Sequence, residues 1–135
     1  MQIRGRGIAK GMGKGQLLIS PAPVSFLSGV DPASGIIVEK GHPLQGESIA
    51  GKVFAFPYGK GSTVGSYVLY GLSQNGHAPA AIINTEAEPI IATGAIIGKI
   101  PMIDRIEVPM NRLRNGVIVV VNGDTGEMIY NGDIL

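Results

Sequence analysis

Twenty-one glycines and nine prolines are spread among the apolar runs of a 135-residue chain, and this spacing constrains the fold more than any other feature. Massed in a tail they would mark disorder. Interspersed, they punctuate many short elements with tight connections. The length suits one domain, residues 1–135, with a single substantial core. Residues 3–10 and 15–20 read as two strands joined around 11–13 in a hairpin with a bulged turn. Pro21 and Pro23 then end the ladder, because neither can donate a backbone hydrogen bond. Residues 25–35 are turn-rich, 36–39 read as a short strand, and 41–46 as another turn.

The run 52–56 is compact and apolar, as expected of a buried strand, and it stops at Pro57. After Gly59-Lys60-Gly61 the pattern changes to helical spacing, with Val64, Val68, Leu69 and Leu72 on one face. Ser62 stands where an N-cap is wanted, and Gly76 where such a helix would stop. Residues 78–84 read as a second buried strand. Residues 88–97 read as a shorter helix with Pro89 in its first turn. Residues 117–121 and 127–130 form the clearest hairpin. The order strands, helix, strand, helix, strands predicts an α/β domain in which a mixed or barrel-like sheet carries two helices.

Composition excludes several classes of function. There is no cysteine, so disulfides, thiolate zinc sites, a catalytic thiol and a cysteine-ligated cluster within this chain are excluded. The two histidines, His42 and His77, have no metal-binding spacing, so no metal is expected here. The net charge is +1. The basic tilt at Arg4, Arg6, Lys10 and Lys14 lacks the aromatic interleaving of a nucleic-acid surface and reads as a solvated strand face. No apolar run approaches the roughly 18 residues of a membrane span. No signal peptide is visible, so the expected compartment is the cytoplasm. The mean hydropathy of +0.27 fits either a core of small aliphatics or a surface covered by a partner.

The unit of strand, glycine loop and helix around 53–75 is where chemistry could sit. Gly59 and Gly61 allow a ligand close to the backbone. The first turn of a helix offers N–H groups and partial positive charge, so Ser62, Thr63 and Val64 could cradle an anion, and Lys60 adds a full charge. The spacing is not that of a Walker A loop. The same field would ease ionisation of the Ser62 hydroxyl, as a serine base requires. The loop alone leaves two readings open, because capping is the commonest role for such a serine. His77, just after a helix, reads as a surface or helix-dipole histidine. Asp31 before Pro32 reads as a turn residue. Asp104, Arg105 and Glu107 read as a solvated charged edge, as do Arg112 and Arg114.

Three stretches carry a resemblance: Ser25-Phe-Leu-Ser-Gly-Val-Asp-Pro-Ala-Ser-Gly35, Phe56-Pro-Tyr-Gly-Lys-Gly-Ser-Thr-Val-Gly-Ser-Tyr-Val-Leu-Tyr70 and Ala78-Pro-Ala-Ala-Ile-Ile-Asn84. Together they resemble the small, swivel-domain half of the aconitase X family, from about residue 4 to residue 130. Ser28 departs from the family's Gly-Gly-Val-Asp-Pro pattern and bears on the shape of that turn. The chain also lacks the Ser-Arg-Gly of ordinary aconitase, with Lys60 the candidate to replace that arginine's charge. The resemblance implies a single swivelling β/β/α domain serving a hydro-lyase that is active only with a large subunit. That partner would hold a 4Fe-4S cluster and most substrate contacts, and the two would form a hetero-oligomer. The implied roles are Ser62 as the catalytic proton acceptor and Lys60, Gly61 and Thr63 as substrate-binding residues. The implied substrate in archaeal members is (R)-5-phosphomevalonate, dehydrated to trans-anhydromevalonate 5-phosphate; in bacterial relatives it is cis-3-hydroxy-L-proline. Two other classes remain open at this point. One is a swivel domain carrying phosphate on His77, and the other is a non-catalytic anion-binding module built on residues 59–63.

Overall fold

The computed structural model describes residues 1–61 and 63–135. Eight strands, β1 (Gln2–Arg4), β2 (Arg6–Ala9), β3 (Met12–Ile19), β4 (Val53–Phe56), β5 (Ala81–Asn84), β6 (Met102–Asp104), β7 (Ile118–Asn122) and β8 (Glu127–Tyr130), form one mixed sheet. Its order is β1-β8-β7-β3-β4-β5-β6-β2. Because β1 and β2 are separated only by Gly5, this first stretch of chain pairs with both ends of the sheet and curls it toward a barrel. The expected α/β class with a barrel-like mixed sheet is what is found.

The two long helices are α2 (Gly65–Gln74) and α3 (Pro89–Gly98), and α1 (Phe26–Gly29) is a single turn. They cover the central strands β4 and β5, every residue of which is buried. A strand buried on both faces is expected to be apolar, and these are except at Asn84, whose side-chain amide donates to Phe56 O at 3.0 Å. Phe54, Phe56 and Ile82 pack toward Leu69, Leu72, Ile91 and Ala95 of the helices. Val53, Ala55, Ala81 and Ile83 point the other way, toward Val119, Val121, Met128 and Tyr130. The alternation therefore builds two cores on a shared wall, one between sheet and helices and one inside the curled sheet.

Three sequence expectations are corrected. The first two strands do not form a hairpin: β2 pairs with β6, and β3 pairs with β7 and β4. Residues 36–39 are not a strand of the sheet. They are held by isolated bridges, Val30 with Ile37 and Ile36 with Ser48. Asp104 is not on a solvated edge. It ends β6 with no exposure and accepts Arg6 Nε at 2.9 Å and Nη2 at 2.7 Å, along with the Ala87 N–H at 2.7 Å.

Candidate active site

Strands β3, β4, β5 and β6 run parallel, so their carboxyl ends share one edge of the sheet. That edge is where open α/β sheets place their ligands. The chain leaves β4 there at Pro57 and returns through Gly59, Lys60 and Gly61 into α2. Residue 24 holds this loop like a short extra strand: Val24 N–H donates to Tyr58 O at 3.3 Å, and Lys60 N–H to Val24 O at 3.0 Å. Gly59 presses against α3, where a Cβ would lie 2.4 Å from Ile91 Cγ1. Gly61 has φ +93°, a conformation that favours glycine, and a Cβ there would lie 3.0 Å from Ser25 Oγ. Both glycines are therefore required by the loop's path.

The helix after this loop begins later than its spacing predicts. Val64 occupies the N-cap position and Gly65 is the first helical residue. The N-cap position is therefore two residues beyond the one the spacing gives. The first helical amides are those of Gly65 and Ser66 rather than a set starting at Ser62. Ser62 itself lies outside the described residues. Thr63 and Gly61 are exposed, and Gly61 lines a small cavity of about 80 Å³ with Phe26, Gly59, Lys60, Gly65 and Glu88. Glu88 caps α3, accepting the Ile90 and Ile91 N–H groups at 2.9 and 2.7 Å. The amino end of α3 is thus already satisfied by a carboxylate, while that of α2 has no acidic residue in its first turn.

A second segment reaches the loop from the long excursion between β3 and β4. The Lys60 ammonium is paired with Glu39 at 3.0 Å, and the other Glu39 oxygen accepts the Ser25 N–H at 3.2 Å. Partial burial would raise the Glu39 pKa, but the bond from Lys60 and the Ser25 N–H outweigh it and hold the carboxyl below its usual range. Ser25 Oγ lies 3.3 Å from Ser28 Oγ, so the residue that departs from the family pattern adds a hydroxyl to the layer beside Gly61. Sequence reasoning did not single out Glu39 or Ser25, whose relation to Lys60 exists only once the chain has folded back.

His77 is not part of this cluster. It follows the carboxyl end of α2 and precedes β5, at the opposite edge of the sheet, where its N–H caps the helix by donating to Leu72 O at 2.9 Å. Asp31 is the turn residue expected, accepting the Ala33 N–H at 3.1 Å and the Ser34 hydroxyl at 2.8 Å. His42 is buried and structural: its Nδ1 accepts the Leu44 N–H at 3.0 Å, which leaves Nε2 to donate to Pro23 O at 3.2 Å. Among the described residues no group of three His, Cys, Asp or Glu side chains could hold a metal ion. No helix among them is long and apolar enough to cross a membrane.

The aconitase X swivel domain family model matches residues 2–130. The phosphomevalonate dehydratase small subunit of Methanosarcina acetivorans is 55% identical over 127 residues, covering 93% of this chain and 88% of that protein. The Pyrococcus furiosus protein of the same name is 51% identical over 136 residues, covering 99% of this chain and all of its own length. The crystal structure of Thermococcus kodakaraensis aconitase X in its holo-form superposes with a TM-score of 0.92 at 48% identity, covering 98% of this chain and 99% of that one.

Proposed function

Since the chain belongs to the aconitase X family as a swivel domain, we propose that it is the small subunit of a hydro-lyase that dehydrates (R)-5-phosphomevalonate. The observation that carries this is near-full-length identity above 50% to archaeal proteins named phosphomevalonate dehydratase small subunit. The reading takes residues 1–135 as one swivel domain working in the cytoplasm with a large subunit. The product is trans-anhydromevalonate 5-phosphate.

In this mechanism the carboxyl edge of the sheet faces the partner. Lys60 binds an anionic group of the substrate, and Gly61 and Thr63 leave room for it against the backbone. Ser62 removes the proton beside the substrate carboxylate, helped by the positive end of α2, which begins at Gly65. A cysteine-free chain has no thiolates for an iron–sulfur cluster, so the cluster belongs to the large subunit. When bound, it supplies a Lewis acid for the departing hydroxyl. Exposed side chains on and around the loop, Leu27, Tyr58, Val64 and Tyr67, suit a permanent interface.

Co-expression with the large subunit and assay against (R)-5-phosphomevalonate and cis-3-hydroxy-L-proline tests the reading. Water loss from phosphomevalonate only with both subunits present is expected. Activity of the isolated chain in metal-free buffer, or turnover of hydroxyproline alone, would overturn it.

A further inference from the structure

Glu39 lies on the excursion between β3 and β4, away in sequence from the loop it touches, and it joins three pieces of backbone. Its own N–H and that of Val38 donate to Gly29 O at 3.2 and 2.8 Å, which fixes its place beside α1. One carboxylate oxygen takes the Ser25 N–H and the other takes Lys60 Nζ. The Glu39 side chain is only 20% exposed and Lys60 is 48% exposed. The carboxylate is therefore anchored, while the ammonium is the member that could otherwise move. An ammonium has three donors. Glu39 takes one, and among the described residues no other group takes the remaining two; Lys60 also lines the cavity with Gly61 and Gly65.

We propose that Glu39 is a positioning residue that holds the Lys60 ammonium at the mouth of this cavity, so that an anionic substrate meets a cation already in place. The proposal rests on the substrate-binding role given to Lys60 above. A lysine without such a tether must lose the freedom of a four-carbon stem each time it binds, and that ordering weakens affinity. Glu39 therefore acts on binding, and it acts only through Lys60.

The test is a double-mutant cycle in the reconstituted complex, with Glu39→Gln, Lys60→Met and the pair together. Glutamine keeps an oxygen for the Ser25 N–H and loses the charge that holds Lys60. Glu39→Gln should raise the KM for phosphomevalonate, and its calorimetric dissociation constant, by about tenfold while kcat changes little. In the Lys60→Met background the same change should cost almost nothing. Glu39→Asp, which retains the charge on a shorter arm, should recover part of the loss and carries the test should Glu39→Gln fail to assemble. Wild-type affinity in Glu39→Gln, or an equal loss with and without Lys60, would overturn the proposal. Binding is read apart from turnover, and with cis-3-hydroxy-L-proline in parallel. A wild-type complex that binds phosphomevalonate without dehydrating it therefore counts against the dehydratase reading alone.

Discussion

The guanidinium of Arg6 makes a two-pronged contact with the fully buried carboxylate of Asp104, at 2.9 and 2.7 Å, and so ties β2 to β6 where the sheet curls closed. The same carboxylate takes the Ala87 N–H just ahead of α3. Removing it leaves the Ala87 N–H without its partner, while the half-exposed Arg6 guanidinium can turn to water. Asp104→Leu is expected to cost about 1–3 kcal/mol of stability for the unpaired N–H alone. Urea denaturation of wild type and variant checks this, with an unchanged slope showing that only stability has moved.

Acid should unfold the protein through a small set of carboxylates. Burial opposes ionisation of Asp104, but the Arg6 bond and the Ala87 N–H outweigh it and lower its pKa. Asp31 is lowered by the Ala33 N–H and the Ser34 hydroxyl, and Glu39 by the bonds already described. A folded-state pKa below the unfolded one gives stability that is complete above the unfolded value and lost as pH falls through the folded value. Unfolded carboxylates titrate near about 4. The melting temperature should therefore be flat from about pH 7 to 5 and drop below about 4, and Asp104→Asn should blunt that drop.

Gly61 and Gly46 share nearly the same backbone angle, φ +93° and +91°, but only Gly61 has a neighbour within 4 Å of a would-be Cβ. Gly46→Ala should cost the backbone strain alone, about 1–2 kcal/mol. Gly61→Ala should cost that and the crowding against Ser25 Oγ, and it should also lower turnover of the complex. Equal stability losses with full activity in both would show that the Ser25 contact does not shape the loop.

How far these features were legible follows from how local they are. Strands β4 and β5 and the β7–β8 hairpin are contiguous apolar runs bounded by proline or glycine, and α3 announces itself through Glu88 and Pro89. β6 was missed because it has three residues and ends in an aspartate, whose burial depends on Arg6 from the far end of the chain. The pairing of β2 and β3 was misread for the same reason, since each finds its partners at a distance. At the candidate site, Lys60, Gly61 and Thr63 stood out through their glycine setting. Glu39 and Ser25 did not, because only the folded excursion between β3 and β4 brings them to the loop. The start of α2 was placed too early because Ser62 has the chemistry of a cap, whereas the turn at Thr63 and Val64 delays the helix to Gly65.

Ser62 is the proposed proton acceptor, and its removal should show in rate. Melting temperature and turnover of the Ser62 variants are measured separately, so that a loss of stability is not taken for a loss of rate. Ser62→Asp serves as a companion variant, expected to assemble but remain nearly inactive, since it sets a negative charge where an anionic substrate binds. The decisive measurement is kcat of the Ser62→Ala complex on (R)-5-phosphomevalonate, with melting temperature and subunit association matched to wild type. The expected result is a fall of roughly two to four orders of magnitude. An assembled Ser62→Ala complex that keeps more than about a tenth of wild-type turnover, less than the smallest loss expected for a general base, would contradict it.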